Sequence, residues 1–210
     1  MSVSPRRARS ATGTRGGAIP LMVPRRSGLR ASAAAFWNLC AANRDLRLER
    51  TARGEVIVMA PAGSDTGMRN MSLSAQVWNW NRQTDLGLAF DSSAGFTLAD
   101  GAVVSPDTSW IARDRWLAVP TEDRKRFAPI CPDFVVELMS PSDKLVDLRT
   151  RMKQYLGQGA RLGWLLDPKS GLAEVYRPGR PVAAFARPAT LSGEGVLPGF
   201  VLDLKGILFD

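Results

Sequence analysis

The segment that most constrains the fold contains an apolar strand, an amphipathic helix and a second apolar strand in succession. Asp133–Met139 (DFVVELM) is rich in residues of high β-propensity. Lys144–Leu156 carries apolar residues at the spacing of one helix face, and glycines follow it. Leu162–Asp167 then returns as a mostly apolar strand. Two buried strands joined through a helix predict a crossover in a mixed β-sheet.

Further helices and strands are predicted on both sides of this segment. The other predicted helices are Ala33–Asn43, Ser64–Thr84 and Arg113–Arg126. The other predicted strands are Leu46–Arg50, Glu55–Ala60, Leu88–Asp91, Gly95–Leu98, Val103–Ala112, Ala173–Arg177, Val182–Ala186 and Phe200–Leu204. Hairpins are expected between the first two of these strands and between Ala173–Arg177 and Val182–Ala186, because turn residues separate each pair.

The positive charge of the chain is concentrated at its start. Residues 1–30 carry seven arginines and no acidic residue, with glycine, serine and proline throughout. Such a composition cannot bury a core, so we expect a disordered basic tail over residues 1–30 and a single domain over residues 31–210. Residues 31–210 hold 21 basic and 20 acidic side chains and are nearly neutral. The tail would add salt-sensitive, sequence-independent affinity for nucleic acid.

The sequence also excludes several kinds of chemistry. It contains no histidine, which rules out Ser-His-Asp and Cys-His catalysis and histidine-ligated zinc. Its two cysteines, Cys40 and Cys131, match no zinc or C-x-x-C spacing, so reduced thiols in a cytoplasmic protein are expected. No apolar run is long enough for a membrane span. Proton or metal chemistry must therefore use carboxylates, lysine, tyrosine or cysteine.

Glu137 is an ionisable residue in the middle of an apolar strand. A buried, unpaired carboxylate is costly, so Glu137 requires an arginine or lysine partner, a raised pKa or a metal ion. Asp107 belongs to another predicted strand. If the two strands pair, Asp107 and Glu137 converge on a hard divalent cation such as Mg²⁺ or Mn²⁺, whose oxygen ligands need no histidine. A salt bridge from Glu137 to an arginine of the next helix is the alternative.

The helix after this strand supplies basic side chains. Arg149 and Lys153 lie on one edge of its apolar face and Arg151 on the other, so only one edge is expected to overhang the carboxylates. A cation there would orient a water molecule or stabilise developing phosphate charge. Ordinary solvent-exposed charges are the alternative.

Four stretches together carry a family resemblance. They are SPD at Ser105–Asp107, PDFVVELMSPSD at Pro132–Asp143, RMKQYLGQGARLGWLLDP at Arg151–Pro168 and EVYRPG at Glu174–Gly179. From about residue 46 to the C-terminus the chain resembles the Uma family of predicted restriction endonucleases, within the PD-(D/E)XK nuclease superfamily. The resemblance implies a restriction-endonuclease-like α/β (α+β) core, with a central mixed β-sheet flanked by helices. It also implies Mg²⁺-dependent (or Mn²⁺-dependent) hydrolysis of phosphodiester bonds in nucleic acid.

Site residues follow from the resemblance by position. Asp107 and Glu137 match the motif acids and would be metal ligands. Glu49 matches a further acidic position and would be an outer-sphere ligand. The superfamily lysine that stands two residues after the acid is replaced by Met139.

In the family that the chain resembles, a lysine on the next helix takes the place of that residue. It stands four residues before a tyrosine, which is Tyr155 here, and the matching position in this sequence is Arg151. Lys153 is displaced by two residues, on the opposite edge. Because arginine stabilises negative charge but cannot act as a base, three alternatives remain open. Arg151 acts electrostatically alone, Lys153 replaces it, or catalysis is impaired.

The sequence therefore supports three functional hypotheses. The first is a cytoplasmic Mg²⁺-dependent endonuclease acting on DNA, which binds the ion through Asp107 and Glu137 and uses Arg151 or Lys153 to offset transition-state charge. The second is a catalytically impaired module for nucleic-acid binding or dimerisation, with Glu137 held by Arg151. The third is a hydrolase of smaller phosphoesters. DNA as a partner, no membrane association and a homodimer complete the expectations.

Overall fold

The computed structural model describes residues 26–209 of the chain, which form thirteen strands and five helices. The strands are β1 (Arg26–Arg30), β2 (Arg47–Arg50), β3 (Glu55–Met59), β4 (Gly87–Asp91), β5 (Phe96–Thr97), β6 (Val103–Val104), β7 (Thr108–Ala112), β8 (Phe134–Leu138), β9 (Leu162–Asp167), β10 (Leu172–Tyr176), β11 (Ala183–Ala186), β12 (Thr190–Ser192) and β13 (Val201–Asp203). The helices are α1 (Ala33–Ala42), α2 (Ser64–Thr84), α3 (Arg113–Ala118), α4 (Thr121–Arg124) and α5 (Leu145–Gly157).

A six-stranded mixed sheet is the centre of the fold, in the order β11-β10-β9-β8-β7-β4. β8 and β9 run parallel and are joined through α5, whereas the other neighbours in this sheet are antiparallel. The predicted crossover and the predicted hairpin of β10 with β11 are thereby confirmed. The protein has the expected mixed α/β architecture, a multi-stranded sheet flanked by helices.

The side chains of β8 enter two different cores. Phe134 packs in a cluster with Val77 of α2, and Val135 packs in a second cluster with Met152 of α5. Helices therefore cover both faces of the sheet, and every residue of β8 is buried. Because side chains alternate along a strand, Glu137 shares the α5 face with Val135.

A second sheet, in the order β1-β3-β2-β6-β5, adjoins the central one. β2 and β3 form the predicted hairpin, and Gly54 in its turn has a φ of +83°, a left-handed conformation that favours glycine. The sequence predicted one strand over Val103–Ala112, and this prediction is wrong. β6 belongs to the second sheet and β7 to the central sheet, with Pro106 between them. Proline lacks an N–H for the ladder, so the chain leaves one sheet and enters the other there.

Three other features differ from the sequence expectation. Arg26–Arg30 was assigned to the disordered tail, but it forms β1 and pairs with β3, and residues 1–25 lie outside the described residues. The predicted helix Arg113–Arg126 is two short helices, because Pro120 interrupts it. β12, which was not predicted, pairs with β13. Within residues 26–209, no helix combines the length and the apolar content that crossing a bilayer requires.

Candidate active site

Asp107 and Glu137 are neighbours because β7 and β8 pair. The two strands are antiparallel with Thr108 opposite Val136, so one further step of this register sets Asp107 opposite Glu137. Asp107 Oδ2 accepts a hydrogen bond from the backbone N–H of Leu138 at 2.9 Å. This bond fixes the carboxylate of Asp107 against the end of β8.

Glu137 is buried, with a side-chain exposure of 5%. Its Oε1 accepts a hydrogen bond from the hydroxyl of Tyr155 at 2.7 Å and lies 3.6 Å from Nη1 of Arg151. Burial raises the pKa of Glu137 to about 8, even though Arg151 and the Tyr155 hydroxyl favour its charged form, and the charges of Asp107 and Glu49 add to the rise. The positive charge around Glu137 is thus too small to offset the effect of burial on its pKa.

Arg151 binds Glu49, rather than Glu137, through both terminal nitrogens of its guanidinium. Nη1 donates to Glu49 Oε1 at 3.1 Å and Nη2 to Oε2 at 2.6 Å. Glu49 Oε1 also accepts from the backbone N–H of Ser105 at 3.0 Å. Burial alone would lower the pKa of Arg151, but the carboxylates of Glu137 and Glu49 raise it well above its ordinary value. Arg151 is therefore a permanent cation between two carboxylates.

The opposite edge of α5 does not reach these carboxylates. Lys153 is exposed, and within residues 26–209 it forms no ion pair with a carboxylate. Arg149 pairs with Glu174 instead. Of the two basic candidates from the sequence, the structure brings only Arg151 to Asp107 and Glu137.

Two further side chains at Asp107 were missed by the sequence analysis. Asn70 of α2 donates from Nδ2 to Asp107 Oδ1 at 3.2 Å, and its own Oδ1 is buried without a hydrogen-bond partner. Arg47 of β2 places Nη2 at 4.0 Å from Asp107 Oδ1. Arg47 stands two residues before Glu49 on one strand, so the sequence indicates that both side chains lie on the same face. Nothing in the sequence singles out Asn70.

The site is most open on the side of Asp107. The side chain of Asp107 is 17% exposed, more than that of Glu137. Burial raises the pKa of Asp107 from its ordinary value, against the Leu138 N–H, the Arg47 charge and the Asn70 amide, which favour the charged form. We refer to Glu49, Asp107, Glu137, Arg151 and Tyr155 together as the Glu137 cluster.

The Glu137 cluster contains the oxygen ligands that a hard divalent cation binds. As the side chains stand, no group of three or more Asp, Glu or Cys donors within residues 26–209 is arranged to hold a metal ion. Mg²⁺, however, is commonly held by one or two carboxylates and keeps several waters. Asp107 and Glu137 supply two carboxylates, and the unpartnered Oδ1 of Asn70 lies on the residue bonded to Asp107. These residues fit such an ion, with Glu49 engaged by Arg151.

A second cluster of a carboxylate, an arginine and a tyrosine lies two strands away, on the other side of β9. Leu165 of β9 is opposite both Glu137 and Glu174 in the sheet, so all three share one face. Glu174 accepts from Nε of Arg149 at 3.0 and 3.2 Å and from the Tyr176 hydroxyl at 2.6 Å. Although burial acts to raise the pKa of Glu174, these hydrogen bonds lower it. We call Arg149, Glu174 and Tyr176 the Glu174 cluster.

Comparison with known proteins identifies the family and the fold of the chain. The family model Uma2, described as "Putative restriction endonuclease", matches residues 33–205. A solved structure from Anabaena variabilis, described as "a putative nuclease belonging to DUF820", superposes with a TM-score of 0.68 at 20% sequence identity. The match covers 85% of this chain and 97% of that one. At this identity the likeness concerns the fold, and it confirms the expected nuclease-like architecture. No curated protein matches the chain.

Proposed function

Because this chain belongs to the Uma2 family, we propose that it is a divalent-metal-dependent endonuclease that hydrolyses phosphodiester bonds of DNA. The observation that carries the proposal is the pairing of Asp107 with Glu137 across two strands, in a site where burial raises the pKa of Glu137 to about 8. A divalent cation would supply the positive charge that this site lacks. Neighbouring carboxylates with strongly perturbed pKa values are typical of functional positions.

Each residue of the Glu137 cluster has a defined role in this proposal. Asp107 and Glu137 would hold Mg²⁺ or Mn²⁺, which when bound activates a water molecule and polarises the scissile phosphate. Tyr155 orients Glu137 through its hydrogen bond to Oε1. Arg151 binds Glu49 through both arms of its guanidinium and would contribute positive charge near the reacting phosphate. Arg151 cannot remove a proton from the attacking water, because its guanidinium stays charged.

A non-catalytic nuclease-fold module is the second candidate. The observation that favours it is the contact of Arg151 with both Glu49 and Glu137, since a cation is already present among the carboxylates. The fork of Arg151 points to Glu49, and Glu137 receives only the 3.6 Å contact, which favours the metal-dependent enzyme. A hydrolase of smaller phosphoesters would prefer a mononucleotide ester to an oligonucleotide, so rates on the two substrates separate it from the first proposal.

The decisive experiment is DNA cleavage by the purified full chain. Single-stranded and double-stranded substrates are incubated with Mg²⁺, with Mn²⁺ and with EDTA. The proposal expects cleavage that depends on the metal, is lost in Asp107→Asn and Glu137→Gln, and is retained in Glu174→Gln. A wild-type protein no more active than the Asp107 and Glu137 variants on every substrate would favour the non-catalytic module.

A further inference from the structure

The basic side chains near the Glu137 cluster differ in how fully they are engaged. Arg151 binds Glu49 through both arms of its fork, Arg149 binds Glu174, and Lys153 is exposed away from the carboxylates. Arg47 is the exception among the described side chains around Asp107. Its guanidinium has donors left to bind another group.

Arg47 extends from β2 toward Asp107. Nη2 donates to the backbone oxygen of Ser105 at 2.8 Å, on the segment that leads from one sheet into the other. Nε is buried and has no hydrogen-bond partner. The distance of 4.0 Å to Asp107 Oδ1 is too long for a hydrogen bond. Because Nε is buried, the donors that a ligand from solvent can reach are those of the terminal nitrogens, and among the described residues only the Ser105 oxygen accepts from them.

The exposure of the site residues shows the side from which a ligand reaches them. The side chain of Arg47 is 35% exposed and that of Asp107 is 17% exposed, against 5% for Glu137 and 2% for Glu49. A molecule that approaches from solvent meets Arg47 and Asp107 before it meets the two buried glutamates. Asp107 repels an anion, so an anionic ligand needs a cation at this opening.

We propose that Arg47 binds the non-bridging oxygens of the substrate phosphate beside Asp107. A guanidinium presents two parallel N–H donors that match two oxygens of a phosphate. Arg47 is therefore a substrate-binding residue, whereas Arg151 acts on the carboxylates. The inference rests on the proposed function and deepens it, because it assigns the phosphate contact of the same site to a residue of another strand.

The experiment measures DNA affinity apart from cleavage. A labelled duplex is titrated with the full chain in EDTA, which prevents metal-dependent cutting, at several salt concentrations. Arg47→Gln is compared with Arg53→Gln, which removes one charge from the exposed turn of the same hairpin. Every variant keeps residues 1–30, so their contribution to salt dependence is the same. Binding of Mn²⁺ to the protein alone is measured by calorimetry.

The expected result separates Arg47 from its control. Arg47→Gln weakens DNA binding by about tenfold, because one phosphate contact is lost. It also reduces, by about one, the magnitude of the salt slope, which is the slope of the logarithm of the DNA-binding constant against the logarithm of the salt concentration. Its Mn²⁺ affinity stays within about twofold of wild type, and Arg53→Gln stays within about twofold in both measurements. Arg47→Lys keeps the charge and therefore the salt slope, but it binds DNA less tightly because the fork is gone.

Two results would overturn the inference. One is an Arg47→Gln protein whose DNA affinity and salt slope equal those of Arg53→Gln. The other is a loss of Mn²⁺ affinity with unchanged DNA affinity, which would make Arg47 a support of the metal ligands. The proposed function fails separately, when wild-type protein binds DNA but cleaves none with Mg²⁺ or Mn²⁺. In that case the salt slope still decides whether Arg47 contacts phosphate.

Discussion

The Glu137 cluster and the Glu174 cluster use the same residue types on the same face of one sheet, under one helix. Each has a buried glutamate, an arginine from α5 and a tyrosine hydroxyl that donates to the glutamate. Their electrostatics are opposite, since the pKa of Glu137 is raised to about 8 and that of Glu174 is lowered. Both side chains have little exposed surface, but Glu137 lies deeper in the protein, so burial raises its pKa more strongly. The two glutamates also differ in how much positive charge each receives.

The two arginines account for this difference. Arg149 serves one carboxylate, and its Nε and Nη2 both donate to Glu174. Arg151 serves two, binding Glu49 with its fork and reaching Glu137 only at 3.6 Å. Asp107 adds a further negative charge beside Glu137. Arg149 compensates the charge of Glu174, whereas Arg151 compensates that of Glu137 only in part, and we propose that a divalent cation supplies the rest.

The largest expected contrast is in catalysis. Glu137→Gln should lower kcat/KM for DNA cleavage by at least about a thousandfold, because a metal ligand is lost. Glu174→Gln should stay within about tenfold of wild type, because Glu174 touches neither ion nor substrate. Steady-state cleavage of one duplex by both variants measures the contrast. Equal losses in the two variants would mean that the clusters do not differ in function.

Replacing Arg151 should lower the stability of the protein more than replacing Arg149. Arg151→Met leaves Glu49 and Glu137 buried without a cation, which should lower the free energy of unfolding by about 3 kcal/mol. Mn²⁺ should restore part of this loss, because an ion can replace the missing charge. Arg149→Met should cost less, since the side chain of Arg149 is 46% exposed. Urea unfolding with and without Mn²⁺ tests this, and a larger loss in Arg149→Met would contradict it.

The raised pKa of Glu137 should appear as a pH dependence of stability. Between its ordinary value of 4.5 and about 8, folded Glu137 holds a proton that the unfolded chain has released. The free energy of unfolding should therefore fall as pH rises through this window, by up to about 1.4 kcal/mol per pH unit. Glu137→Gln has no such proton, so its stability relative to wild type should increase between these pH values.

Urea unfolding in EDTA at several pH values tests this dependence. A difference between Glu137→Gln and wild type that does not change with pH would show that Glu137 titrates normally. Saturating Mn²⁺ should reduce the slope, because a bound cation favours the carboxylate.

The smallest effect is expected for the compensated carboxylate. Glu174→Gln should lower Tm by only a few degrees, because the hydrogen bonds lose their ionic partner while the shape is kept. Since the pKa of Glu174 is lowered, its contribution is present above the ordinary value and is lost as pH falls through the lowered pKa. Thermal unfolding of both proteins at neutral and acidic pH measures this. A Tm difference that persists unchanged in acid would contradict it.

The central pair of the candidate site was predictable from local pattern and from the family resemblance. The apolar strand Asp133–Met139 drew attention to Glu137, and the resemblance matched Asp107 to the motif aspartate. The pairing of the two strands was the condition for their convergence, and it is present. Spacing along α5 also predicted that only one edge would overhang the carboxylates, although it did not say which.

The rest of the site depends on long-range packing. Arg151 meets Glu49 across a sequence separation of 102 residues, and Asn70 meets Asp107 from a helix on another layer. Helix periodicity gives the angle between Arg151 and Lys153 but not the rotation of the helix on the sheet. Only the packed structure determines that rotation, and with it the basic residue that faces the site.

Calorimetric titration of Mn²⁺ into the full chain shows directly whether the Glu137 cluster binds a divalent cation. We expect binding to wild type and to Glu174→Gln with similar affinity, and loss of this binding in Asp107→Asn and Glu137→Gln. Equal binding by all four proteins, or no binding by any of them, would contradict the claim that the Glu137 cluster holds a divalent cation.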